Sequence, residues 1–127
     1  KRLYAGWPKA SFDITELNDS INSVYGHNNL TESSEVTLKA PDIAENGAIV
    51  PLNVKTKLKN VESIMIFVEN NPQPLSSGYH LSPKSIPVVG TRIKMGKTST
   101  VMAAVKSNGK IYTASKEVKV TIGGCGG

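Results

Sequence analysis

The chain has 127 residues, 39% of them hydrophobic and 20% charged, enough apolar side chains for one domain core and too few charges for a disordered polymer. Lys and Arg number 15 against 10 Asp and Glu, a formal charge of +5, but only 6% of residues are aromatic and no basic run is interleaved with them, which argues against a nucleic-acid surface. One Cys excludes an intramolecular disulfide, and with two His it completes no Cys/His metal centre, so neither metal nor cofactor is expected. The longest apolar run, Ile64 to Val68, is far shorter than the ~20 residues that cross a bilayer, so no membrane association is expected.

The opening segment Leu3-Tyr4-Ala5-Gly6-Trp7-Pro8 is not an apolar leader, and Trp7 is expected to act as a packing anchor. Ile14, Leu17, Ile21 and Val24 recur every three or four residues, which places them on one helix face. Ser11 or Asp13 could cap that helix, with Glu16 as the capping-box partner of Asp13, and Gly26 is suited to end it in a left-handed conformation. From about Ser34 the period becomes two. Val36, Leu38 and Ala40 alternate with polar residues, and Val50, Leu52 and Val54 do so again after a turn at Asn46-Gly47. Ser63 to Glu69 reads as a strand buried on both faces. Further strands are expected over Ser77–Leu81, Val88–Met95, Thr98–Ser107, Lys110–Ser115 and Glu117–Ile122. Asn108-Gly109 is the strongest hairpin signal, because both residues tolerate the positive φ of a type I′ turn. The prolines of Pro72-Gln73-Pro74 and of Ser82–Pro87 block ladder pairing and mark two stiff loops.

These elements predict a mainly β protein: an immunoglobulin-like antiparallel β-sandwich with one N-terminal α-helix, without the Cys…Trp…Cys pattern of antibody domains. The expected organisation is a helix-bearing segment over 1–33 packed on a sandwich over 34–122, followed by a flexible arm over 123–127, all one domain.

That arm is Gly123-Gly124-Cys125-Gly126-Gly127. Glycine loses the most backbone entropy on ordering and has no side chain to bury, so packing does not explain four of them here. Five residues reach about 16 Å at roughly 3.3 Å each. A free thiol with a reference pKa of about 8.5 is a few per cent thiolate near neutrality, and no neighbour in sequence activates it. Such a group is a poor catalyst and a good handle, so the protein is expected to carry a substrate rather than to be an enzyme.

Lys116-Glu-Val-Lys-Val-Thr-Ile-Gly-Gly-Cys-Gly-Gly127 resembles the C-terminus of the SoxY family, and Ala40-Pro-Asp-Ile-Ala-Glu-Asn-Gly-Ala-Ile-Val-Pro51 is similar to the family segment at the start of the sandwich. Trp7-Pro8 through Phe12 and the following helix fit as well. The resemblance implies a sulfur carrier of bacterial thiosulfate oxidation, periplasmic in its mature form. It implies covalent sulfur on Cys125, with Gly123, Gly124, Gly126 and Gly127 as the swinging arm. The implied partners are a SoxZ subunit, the SoxAX cytochrome that joins thiosulfate to the thiol, and the SoxB hydrolase that releases sulfate to leave a persulfide. A disulfide-linked dimer through Cys125 is a further expected state. The rival reading is an immunoglobulin-like binding module that uses Cys125 for an intermolecular disulfide. A ubiquitin-like modifier, which would use a terminal carboxylate instead of a thiol, is disfavoured by the long run of strands.

Other candidates carry less. His27 and His80 lack partners at metal or triad spacing and read as surface or packing residues. Asp42 and Glu45 could bind a cation weakly, but hydrogen bonding to turn amides is the simpler reading.

Overall fold

A computed structural model describes residues 9–121. A 3-10 helix, Lys9–Asp13, leads to α1, Leu17–Tyr25. Nine strands follow: β1 Leu30–Glu32, β2 Val36–Lys39, β3 Ile43–Ala44, β4 Val50–Thr56, β5 Val61–Val68, β6 Leu75–His80, β7 Val88–Ile93, β8 Ser99–Ser107 and β9 Lys110–Val120. They form two layers. One sheet has the order β1-β9-β8-β5-β6 with β3 also on β9, and the other has the order β2-β4-β7. The expected sandwich with an N-terminal helix is therefore the observed architecture.

Alternation decides what each layer buries. Ile64, Ile66 and Val68 of β5 and Val101, Ala103 and Val105 of β8 point between the sheets, where they meet Val50, Leu52 and Val54 of β4. The other face of the larger sheet presents Met65, Phe67 and Ala104 to Phe12 and to Ile21 of α1, a second core. The β5 run is thus apolar on both sides because it has an apolar neighbour on both sides. The helix covers one outer face of the sandwich, and among the described residues the outer face of β2-β4-β7 carries no helix.

The turns follow local chemistry. Gly26 ends α1 at φ 78°, with its N–H donating to the Asn22 carbonyl. Asn108 and Gly109 have φ 51° and 78° and close the β8–β9 hairpin between Ser107 and Lys110. The Ser82–Pro87 loop holds itself together, the Ser85 N–H donating to the Ser82 carbonyl at 2.9 Å.

Four readings need correction. The cap of α1 is Glu16 itself, whose carboxylate accepts from the Asp19 N–H at 2.9 Å, so the helix starts later than Ser11 or Asp13 would set it and Ile14 lies outside it. Lys110–Ser115 and Glu117–Ile122 are not two strands: β9 runs unbroken through Lys116, paired to β8 from Ser107↔Lys110 to Ser99↔Val118. The sheet is not purely antiparallel, because β1 and β3 each pair with β9 in parallel. Finally, turn amides are not what Asp42 binds. The Asn46 side chain makes that turn by accepting from the Ala48 N–H at 2.9 Å, and Asp42 faces Lys116.

Candidate functional site

The segment singled out by the sequence begins where β9 ends. Cys125, with Gly123, Gly124, Gly126 and Gly127, lies outside the described residues, as does Trp7; the structure describes the base from which the arm departs.

That base is held on both sides. β8 pairs along β9, while on the opposite edge β1 takes Ile111–Thr113 and β3 takes Lys119–Val120. The last rungs are the Lys119 N–H donating to the Asp42 carbonyl at 3.0 Å and the Thr121 N–H donating to the Ala44 carbonyl at 3.1 Å. Across the strand, the Val120 N–H donates to Thr98 Oγ1 at 2.9 Å. Val118 is fully buried between the sheets, with Ala114 and Val120 against the same core.

Lys116 occupies the inward-facing register between Ala114 and Val118, a position where alternation calls for an apolar residue. The side chain is half-buried and its ammonium reaches the Ala40–Asp42 segment, a snorkelling geometry. Nζ donates to the Ala40 carbonyl at 2.6 Å and lies 2.9 Å from Asp42 Oδ1. The hydrogen bond from Lys116, and then its charge, hold the Asp42 carboxyl below the usual carboxylate range. Asp42 is otherwise open to solvent. The Ala40–Pro51 segment and the terminal segment are far apart in sequence, yet this lysine and the β3–β9 pairing fasten one to the other.

The remaining candidates stay separate. His27 Nδ1 accepts from the Asn29 N–H at 3.1 Å and its ring stacks on Tyr25 at 6.3 Å between centroids, a local packing role. His80 ends β6, on the sheet edge away from β9. Among the described residues no three His, Cys, Asp or Glu side chains gather as a metal site would require. Lys116 was missed in the sequence, although a lysine out of step with strand alternation was a visible signal.

The fold and its anchored last strand define a two-layer β-sandwich domain whose last strand, paired on both sides, leads toward a Gly-Gly-Cys-Gly-Gly segment. The family model described as sulfur oxidation protein SoxY matches residues 21–125. The solved structure of the sulfur carrier protein SoxY from Chlorobium limicola f. thiosulfatophilum aligns with a TM-score of 0.76 and 39% identity, covering 84% of this chain and 97% of that one. The chain belongs to the SoxY family. Superoxide reductase (neelaredoxin) from Ignicoccus hospitalis aligns with a TM-score of 0.60 and 20% identity, over 67% of this chain and 79% of that one, and a variant of it reaches 0.61 over 70% and 82%. At that identity the likeness shows a shared sandwich alone. No curated protein sequence matches the chain.

Proposed function

We propose that the protein is a covalent sulfur carrier in thiosulfate oxidation, that Cys125 is the attachment point, and that the four glycines around it form the arm that presents the bound sulfur to other Sox proteins. The observation that carries this reading is the family match extending to residue 125, which includes the chain's one cysteine.

Each step assigned to the thiol balances. A Cys125 thiolate and the outer sulfur of thiosulfate form a sulfur–sulfur bond and give up two electrons, which would pass one at a time through a SoxAX-type cytochrome to a further electron acceptor. Water then cleaves the bond between the outer sulfur and the sulfone group, as SoxB would catalyse, releasing sulfate and two protons and leaving a persulfide on Cys125. The sandwich takes no part in bond making. Its role is to hold Thr121 fixed, so that Cys125, four residues further, is within about 13 Å of it at roughly 3.3 Å per residue. Glycine neighbours add no side chains that would obstruct a narrow entrance. A SoxZ subunit as stable partner, a periplasmic location and a disulfide-linked dimer through Cys125 belong to the same proposal.

The test is intact mass with peptide mapping after incubation with thiosulfate, SoxAX and an electron acceptor. A thiosulfonate-sized addition confined to the peptide holding Cys125, and missing from Cys125→Ser, is expected, since a hydroxyl forms no sulfur–sulfur bond. An adduct persisting on Cys125→Ser refutes the assigned site. A wild-type thiol that stays unmodified, while a disulfide dimer proves necessary for binding another protein, turns the reading to the binding module.

A further inference from the structure

The helix covers one outer face of the sandwich; the other outer face, on β2-β4-β7, is covered by no element among the described residues and has an unusual composition. The residues opposite the buried Val36, Leu52 and Ile93 positions include Lys39, Pro51, Lys55, Gly90 and Arg92. Lys39, Lys55 and Arg92 are exposed, and none of them meets a carboxylate among the described residues. The acid of this register is Glu35, at the rim where its carbonyl accepts from the Lys57 N–H. A sheet face with three unpaired cations and no central carboxylate presents one sign of charge to solvent.

Its position matters as much as its charge. Pro51 pairs with Arg92 and Asn53 with both Lys39 and Gly90, so Lys39, Pro51 and Arg92 share the end of the sheet where β4 begins and β7 finishes. That end adjoins the base of the arm. The loop 45–49 joins Ala44, which accepts from Thr121, to β4, and Gly47 of that loop accepts from the Met95 N–H at 2.6 Å just past β7. Ile49, 56% exposed in this loop, and Pro51 supply apolar surface beside the cations. Lys39 and Pro51 also line, with Ala40, Pro41, Leu52 and Asn53, a shallow groove of about 360 Å³.

We propose that this corner, Lys39, Ile49, Pro51 and Arg92, is a docking surface for the acidic rim of an enzyme that admits the arm. The inference rests on the carrier reading. Because Cys125 lies within about 13 Å of Thr121, any enzyme holding the thiol overlies this end of the sandwich. A small apolar centre edged by cations suits a brief encounter: complementary charge speeds association and sets orientation, while little buried area allows release.

The experiment measures thiosulfate loading of the full chain by purified SoxAX as a function of carrier concentration and salt. Lys39→Glu/Arg92→Glu reverses the corner, and Lys59→Glu/Lys110→Glu makes the same change in net charge at the opposite end, beside the Asn108-Gly109 turn. Reversal at the corner is expected to raise the carrier's KM by about tenfold with kcat unchanged and to flatten the salt dependence, while the distal pair changes KM less than about twofold. Equal melting temperatures and equal reactivity of Cys125 with iodoacetamide show that fold and thiol are intact. Equal KM values for the two double variants, or wild-type loading indifferent to salt, overturn the docking surface. Wild type that takes up no thiosulfate overturns the carrier reading and the docking surface with it.

Discussion

Replacing Lys116 with Met tests whether a single ammonium fastens the base of the arm. Met keeps most of the stem's volume and removes the charge. What is lost is the donor to the Ala40 carbonyl at 2.6 Å, and a hydrogen bond from a charged group contributes roughly 1.5–3 kcal/mol. Lys116 is 34% exposed, so the lower end applies, about 1.5 kcal/mol. Asp42 adds little to this, because its side chain is 88% exposed and water screens the pair. Lys116→Met is therefore expected to lower the thermal midpoint by about 5 °C, while Asp42→Asn leaves it nearly unchanged. In hydrogen exchange the Lys119 and Thr121 amides, bonded to Asp42 and Ala44, should exchange about tenfold faster. An unchanged midpoint in Lys116→Met refutes the reasoning. So does an Asp42→Asn variant as unstable as Lys116→Met, which would put the energy in the ion pair.

Gly124→Val and Gly126→Val are expected to slow loading of Cys125 while melting like wild type; unchanged loading rates remove the reason given for the glycines. Tyr25 is held above its ordinary pKa of 10.0 by burial, and its hydroxyl has no hydrogen-bond partner among the described residues. The unfolded phenol ionises above about pH 10 and the folded one resists, so stability falls as pH rises past that value; in Tyr25→Phe this part of the alkaline loss should vanish from a pH series of urea midpoints. Gly26→Ala meets no atom within 4 Å of the new Cβ, so the φ of +78° alone costs about 1 kcal/mol, read from the urea midpoint. Phe67→Ala empties a fully buried site beneath α1 and should cost about 3–5 kcal/mol in the same assay.

Where local chemistry decides a conformation, the residues already told the outcome. Gly26 and Asn108-Gly109 take the positive φ their types favour, and the apolar run from Ile64 to Val68 has a core on each side. Elements created by tertiary pairing were not legible. β1 and β3 are three and two residues long, too short for alternation to register, and exist because β9 offers them an edge. The break read at Ser115–Glu117 came from a polar stretch of three residues; the structure shows an exposed strand edge there with one lysine reaching out of the inner face. Asp42 followed the same pattern, since its partner is 74 positions away and nothing local identifies it. The terminal motif was the reverse case: the expectation placed on it came from residue types and the family resemblance alone, and it lies outside the described residues.

The pairing of β9 also has a mechanical consequence. In the carrier reading, a pull on the chain beyond Thr121 directed along the β9 axis acts nearly at right angles to the ladder hydrogen bonds. A load in that direction is shared by the rungs to β8 and by those to β1 and β3 together, instead of opening them one after another from an end. The strand therefore resists as a unit in shear, and forced detachment would be governed by the unfolding rate of the whole sheet. A tether placed on β6, paired among the described residues with β5 alone, would spread the same pull over fewer rungs.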